Sequence, residues 1–110
     1  MNELIEQAFS GYTVPVSFLY YNGNASTYIT YQQTDVGDVL DADDKPQNYA
    51  DYYDVDIYSK TNYFSVLSDV ITKMTAVGFK WIPSRSSSDM YDIETGYYHK
   101  TLSFGIERGV

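Results

Sequence analysis

The chain predicts an α+β fold in two layers: an antiparallel or mixed sheet of about five strands, with one long and one short helix packed on it. Three observations carry that expectation. A single stretch, residues 63–77, repeats apolar residues at helical spacing. Several others alternate apolar and polar residues with the period of two that marks half-buried strands. The chain has 110 residues, which suits one domain, 1–110, with a modest core.

Taken in order, residues 2–9 carry Leu4, Ile5, Ala8 and Phe9 and predict a short helix ended by Gly11, a residue suited to a left-handed cap. VPVSFLYY, residues 14–21, alternates Val14, Val16, Phe18 and Tyr20 against Pro15, Ser17, Leu19 and Tyr21 and predicts a strand. Asn22-Gly23 predicts a corner and STYITYQQ a return strand, together a first hairpin. Residues 34–50, TDVGDVLDADDKPQNYA, break the pattern and predict a long polar loop with a short turn around Val39 and Leu40. DYYDVDIYSK resumes it, with Tyr53, Val55 and Ile57 on a core face and Tyr52, Asp54, Asp56 and Tyr58 on the other.

Asn62 then offers an N-cap to the long helix. Its stripe is Leu67, Val70, Ile71, Met74 and Val77, extended by Phe64, with Lys73 favourably placed near the C-terminal end. Gly78 supplies the left-handed cap. FKWI predicts a short strand stopped by Pro83, SRSSSD a flexible connection, and Met90–Ile93 a brief extended piece before Thr95-Gly96. In YYHKTLSFGIER, Leu102, Phe104 and Ile106 form the core side, and His99, Thr101, Ser103 and Gly105 the other.

The net charge is −8, and eight aspartates from Asp35 to Asp56 share their stretch with one base, Lys45. Such a surface repels phosphate, which argues against direct adhesion to nucleic acid. It leaves room for an acidic wall beside DNA, or for mimicry of nucleic acid toward a basic partner. There is no cysteine, so disulfides and thiolate metal sites are excluded. The opening residues are acidic and amphipathic, unlike a signal peptide, and no stretch has the roughly 18 apolar residues of a membrane span.

Catalytic chemistry finds little footing. His99 is the one histidine and no G-x-S-x-G turn accompanies it. Asp54 and Asp56 lie about 6.5–7 Å apart along one strand face, with no neighbouring sequence to separate their pKa values. DADDKPQNYADYYD has oxygen ligands but neither the glycine nor the final glutamate of a calcium loop. No cofactor site is expected. Thirteen tyrosines exceed what one small core holds, which points to a contact surface.

The second half resembles the tail completion, or tail terminator, proteins that join head and tail in long-tailed bacteriophages and prophages. The resemblance runs over residues 50–107. It rests on Val55, Ile57, Tyr58, Ser59 and Lys60, on Gly78-Phe79, and on Asp92, Glu94, Thr95, Tyr98, His99, Lys100, Leu102, Phe104 and Ile106. It implies a non-enzymatic subunit that assembles with copies of itself into a ring, typically of six. That ring would cap the tail-tube protein and join it to the head-connector protein, first in the host cytoplasm and then in the virion tail. DNA would be passing cargo, and no membrane is involved. Composition, and not the resemblance, nominates the contact regions: Asp35, Asp38, Asp41, Asp43 and Asp44 in the 35–50 stretch, and Tyr52, Asp54, Asp56 and Tyr58 on the strand face. The alternative is a small acidic protein that blocks a basic partner.

Overall fold

The computed structural model describes residues 2–40 and 46–109; at residues 2, 35–40, 46–49, 108 and 109 it describes the backbone alone. Helix α1 (Asn2–Ala8) is followed by strands β1 (Val16–Phe18), β2 (Thr27–Leu40) and β3 (Pro46–Ser59), and then by helix α2 (Phe64–Ala76). Strand β4 (Lys80–Trp81), a 3-10 turn at Pro83–Arg85, β5 (Met90–Asp92) and β6 (Tyr97–Gly109) complete the chain. The strands form one mixed sheet in the order β1-β2-β3-β6-β4, with β5 also on β6. Both helices contribute to its apolar layer, so the α+β expectation holds, with six strands in place of about five.

The core follows from the alternation. Ile29 and Tyr31 of β2, Tyr53, Val55 and Ile57 of β3, and Leu102 and Phe104 of β6 turn to one face. There they meet Ile5 and Phe9 of the α1 region, Val70 and Met74 of α2, and Phe79. Phe79 stands edge-on to Tyr53, with ring centroids 5.8 Å apart. Of the thirteen tyrosines, Tyr31 and Tyr63 are core members at 4% and 6% exposure. Phe64 departs the other way. It is 65% exposed, because the buried line of α2 runs through Val70 and Met74 and leaves Phe64 at its margin. The N-cap is Tyr63 and not Asn62, although Asn62, one residue earlier, still accepts from the Phe64 amide through its Oδ1 at 2.9 Å.

Three connections differ from expectation. The first hairpin is a parallel pair, with Val16 opposite Ile29 and Phe18 opposite Tyr31. A three-residue strand needs a return of only about 10 Å, which residues 19–26 cover without a crossover helix. Leu19 begins the reversal at φ 65°, a left-handed conformation costing about 1–2 kcal/mol in a non-glycine residue. The Tyr21 hydroxyl then accepts from the Ala25 amide, and Tyr97 donates to the Ala25 carbonyl at 2.7 Å. Gly23 sits directly beneath the Tyr21 phenol, where no Cβ fits.

The predicted 34–50 loop is largely strand. β2 continues to Leu40 and β3 starts at Pro46, so only residues 41–45, outside the described residues, lie between them. Pro46 takes a strand's first position, where its missing amide costs least. A bulge between Gln33 and Asp35 shifts the pairing there. Aspartate and glycine are poor strand formers, and the ladder hydrogen bonds outweigh that preference.

The SRSSSD connection is stitched to the β6 edge. Ser86 and Ser87 offer hydroxyl oxygens to the Ser103 and Thr101 amides at 3.0 and 2.9 Å, where the 3-10 turn interrupts the ladder between β4 and β5. Serines replace the carbonyl acceptors a regular strand would have supplied.

The molecule is elongated, 50 × 28 × 22 Å, with a radius of gyration of 15.1 Å; a compact chain of this length has about 13 Å. Gln33, Tyr53 and Phe104 share one row, and Gln33 Nε2 donates to buried Asp51 just beyond it at 3.3 Å, next to Ile106, which still packs against the core. Past that row, residues 34–40 of β2, 46–52 of β3 and 105–109 of β6 continue as a three-stranded arm.

Candidate interaction face

The sheet face opposite the helices carries Tyr52, Asp54, Asp56 and Tyr58 along β3, and register assigns each its neighbours. Tyr58 lies between Tyr28 of β2 and His99 of β6. The three rings stack, at centroid separations of 4.7 Å to Tyr28 and 4.3 Å to His99, and Tyr21 adds a fourth ring 4.4 Å from Tyr28. Tyr97 meets Tyr28 edge-on, and Lys60 sits 5.0 Å above the Tyr97 ring. Burial, then the Asp56 charge and Tyr28, push the Tyr58 phenol above its usual range. Burial, then Tyr97 and Tyr21, do the same to Tyr28.

The next row holds Thr30, Asp56 and Thr101. Thr101 Oγ1 donates to Asp56 Oδ1 at 2.5 Å, and His99 Nε2 lies 3.3 Å from the same oxygen. Ser103 Oγ donates to Asp54 Oδ1 at 2.7 Å in the row after. In the last, the Tyr52 ring carries the Arg85 guanidinium 4.3 Å above it. Tyr52 and Ile82 close over Gly105, where an added Cβ would stand 3.2 Å from both. A groove of about 310 Å³ opens there, lined by Tyr52, Lys80, Ile82, Gly105, Ile106 and Glu107 among others.

This arrangement decides what Asp54 and Asp56 can do. Both are half-buried, and each is bonded to a β6 hydroxyl; the expectation of an outward, solvated pair is corrected to that extent. A histidine relay needs the acid and the hydroxyl on opposite ring nitrogens. Asp56 and Thr101 both approach Nε2, and Thr101 directs its proton to Asp56. The cluster ties β3 to β6 and orders the face. Among the described residues no three His, Cys, Asp or Glu side chains gather as a metal site.

The structure thus brings together Tyr52, Asp54, Asp56 and Tyr58, and places Asp35 and Asp38 on β2 in the arm. Asp41, Asp43 and Asp44 lie outside the described residues. His99, Thr101, Ser103 and Arg85 complete the face. The β6 alternation put the first three on one side of their strand; cross-strand register, which pairs them with β3, has no signal in sequence.

At the other end of the sheet, Phe64, Tyr91, Ile93 and Tyr98 are exposed together. Beneath them Tyr63 donates to Asp89, which also meets Lys100 at 3.5 Å. The Tyr63 hydrogen bond, with help from Lys100, holds the Asp89 carboxyl below the usual carboxylate range. Among the described residues, no helix is long and apolar enough to cross a membrane. No protein-family model matches the chain, and no curated protein matches it.

Proposed function

We propose that this chain is a structural subunit of the tail completion class: it assembles with its own copies into a ring that caps a phage tail tube and joins it to the head connector. The observation that carries the reading is the arm. Three strands run on past the Gln33–Tyr53–Phe104 row, and the β2 part of that extension carries acids but no base. Strand edges that run on past their neighbouring strands are open to contact with another chain. The resembling residues supply β3, β6 and the glycine-phenylalanine pair after α2, so the resemblance falls on the framework that holds the arm.

The interaction face supports the same reading. Its carboxylates are engaged by hydroxyls and its rings by one another, which makes a rigid contact surface with no reactive group poised on it. The acidic arm lets DNA pass a ring lumen without adhering.

The test is co-sedimentation with assembled phage tail tubes. Binding at the ends of assembled tubes, in an amount that does not grow with tube length, is the expected result. Absence of tube binding together with tight, salt-sensitive capture of a basic protein would replace this reading with the acidic-blocker alternative.

A further inference from the structure

The arm has two open edges of opposite charge. On one side, β2 is paired by β1 only through Ile29–Tyr31, and among the described residues nothing pairs the outer edge of Gln32–Leu40. On the other, β4 ends its pairing at Gly105, and nothing described pairs the outer edge of Ile106–Gly109. Open edges present unpaired amides and carbonyls and are ready templates for another strand. The Ile29 amide and the Tyr31 carbonyl both point to the β1 side, through bonds to Pro15 and Leu19. By alternation the Gln33 backbone groups point the same way, with no strand there to receive them.

The β2 edge carries Asp35 and Asp38 and no base. The β6 edge carries Glu107 and Arg108 in sequence, and Lys80 of β4 lies beside it, opposite Gly105. Like charges directly opposite destabilise a strand pair, so two β2 edges repel each other, whereas β2 and β6 attract. The groove beside Ile106 offers a seat for side chains of an incoming strand, the feature that gives strand addition its specificity.

We infer that the occupant of the β6 edge is a second copy of this chain, whose β2 edge adds to Ile106–Gly109 and continues the sheet across the subunit boundary. The inference rests on the self-assembly part of the proposed function and not on the tail role. The contact is heterologous, because each copy uses a different edge to either side. Such a contact makes a ring when the rotation closes.

The chain has no cysteine, so exposed positions can be tagged cleanly. Thr34→Cys marks the β2 edge and Glu107→Cys the β6 edge; both positions are exposed. The full chain is treated with a short bis-maleimide, alone at high concentration and bound to tail tubes, with circular dichroism to confirm the fold. The double variant is expected to give a ladder of covalent multimers, and a mixture of the two single variants to give heterodimers. Lys80→Glu and Asp35→Lys should each lower the yield about threefold to fivefold, the size of an exposed ion pair, and the two together should restore it. Dimers from Thr34→Cys alone, or no cross-linked species in either setting, overturn the inference. Cross-linking without tube binding leaves it standing and removes the tail role; tube capping without cross-linking does the reverse.

Discussion

The two halves of the long β2–β3 hairpin are built from the same strands by different physics. The inner half, Thr27–Gln33 against Tyr53–Ser59, is covered on both faces. Helices and apolar side chains lie over Val55 and Ile57, and stacked rings and hydroxyl-bound aspartates fill the other side. The outer half, residues 34–40 against 46–52, continues the pairing through a bulge, past the end of β1. Burial makes the first half the source of stability. Open edges make the second available for contact.

High pH is the broadest way to break the inner half. Burial is the leading cause pushing the phenols of Tyr28, Tyr31, Tyr53 and Tyr58 above their usual value near 10. A folded pKa above the unfolded one means that the folded state holds its protons longer. The stabilisation is then complete below pH about 10 and is lost as pH rises toward the folded values. Cooperative unfolding above pH 10, with the buried tyrosinate absorbance appearing together with loss of the circular dichroism signal, is the expected outcome. Gradual ionisation of all tyrosines with the fold intact would contradict it.

Single substitutions then grade the two halves. Ile57→Ala opens a cavity at a position with no exposure and should cost about 2–5 kcal/mol, lowering the melting temperature by about 10 °C or more. On the opposite face of the same strand, Asp56→Ala strips Thr101 and His99 of a shared acceptor and should cost about 1–3 kcal/mol in denaturant unfolding. In the arm, Asp35→Lys with Asp38→Lys should move stability by no more than about 0.5 kcal/mol while suppressing self-association. An arm variant that melts as early as Ile57→Ala would erase the distinction between the halves.

How much of this was legible in the sequence divides along the same line. Where burial shapes a strand, it writes alternation: Tyr53, Val55 and Ile57, Leu102 and Phe104, and the Val70–Met74 line of α2 were readable for that reason. TDVGDVL and PQNYA lack the apolar alternation that marks a half-buried strand, so they read as loop although they pair. The parallel β1–β2 connection was hidden because Asn22-Gly23 signals a corner equally for either sense of return. The polar face was half legible. Its β3 members were named, but Thr101 and Ser103 become the partners of Asp56 and Asp54 only through register between distant strands. The tyrosine surplus pointed to contact in bulk, yet Tyr31 and Tyr63 went to the core.

Electron microscopy of the full chain with assembled tail tubes is the decisive test of assembly through the arm. The prediction is a closed ring of copies seated at a tube end, lost when Asp35 and Asp38 are replaced by lysine while the variant stays folded. Bare tube ends with a chain that remains monomeric, or rings that form undiminished in that variant, would contradict it.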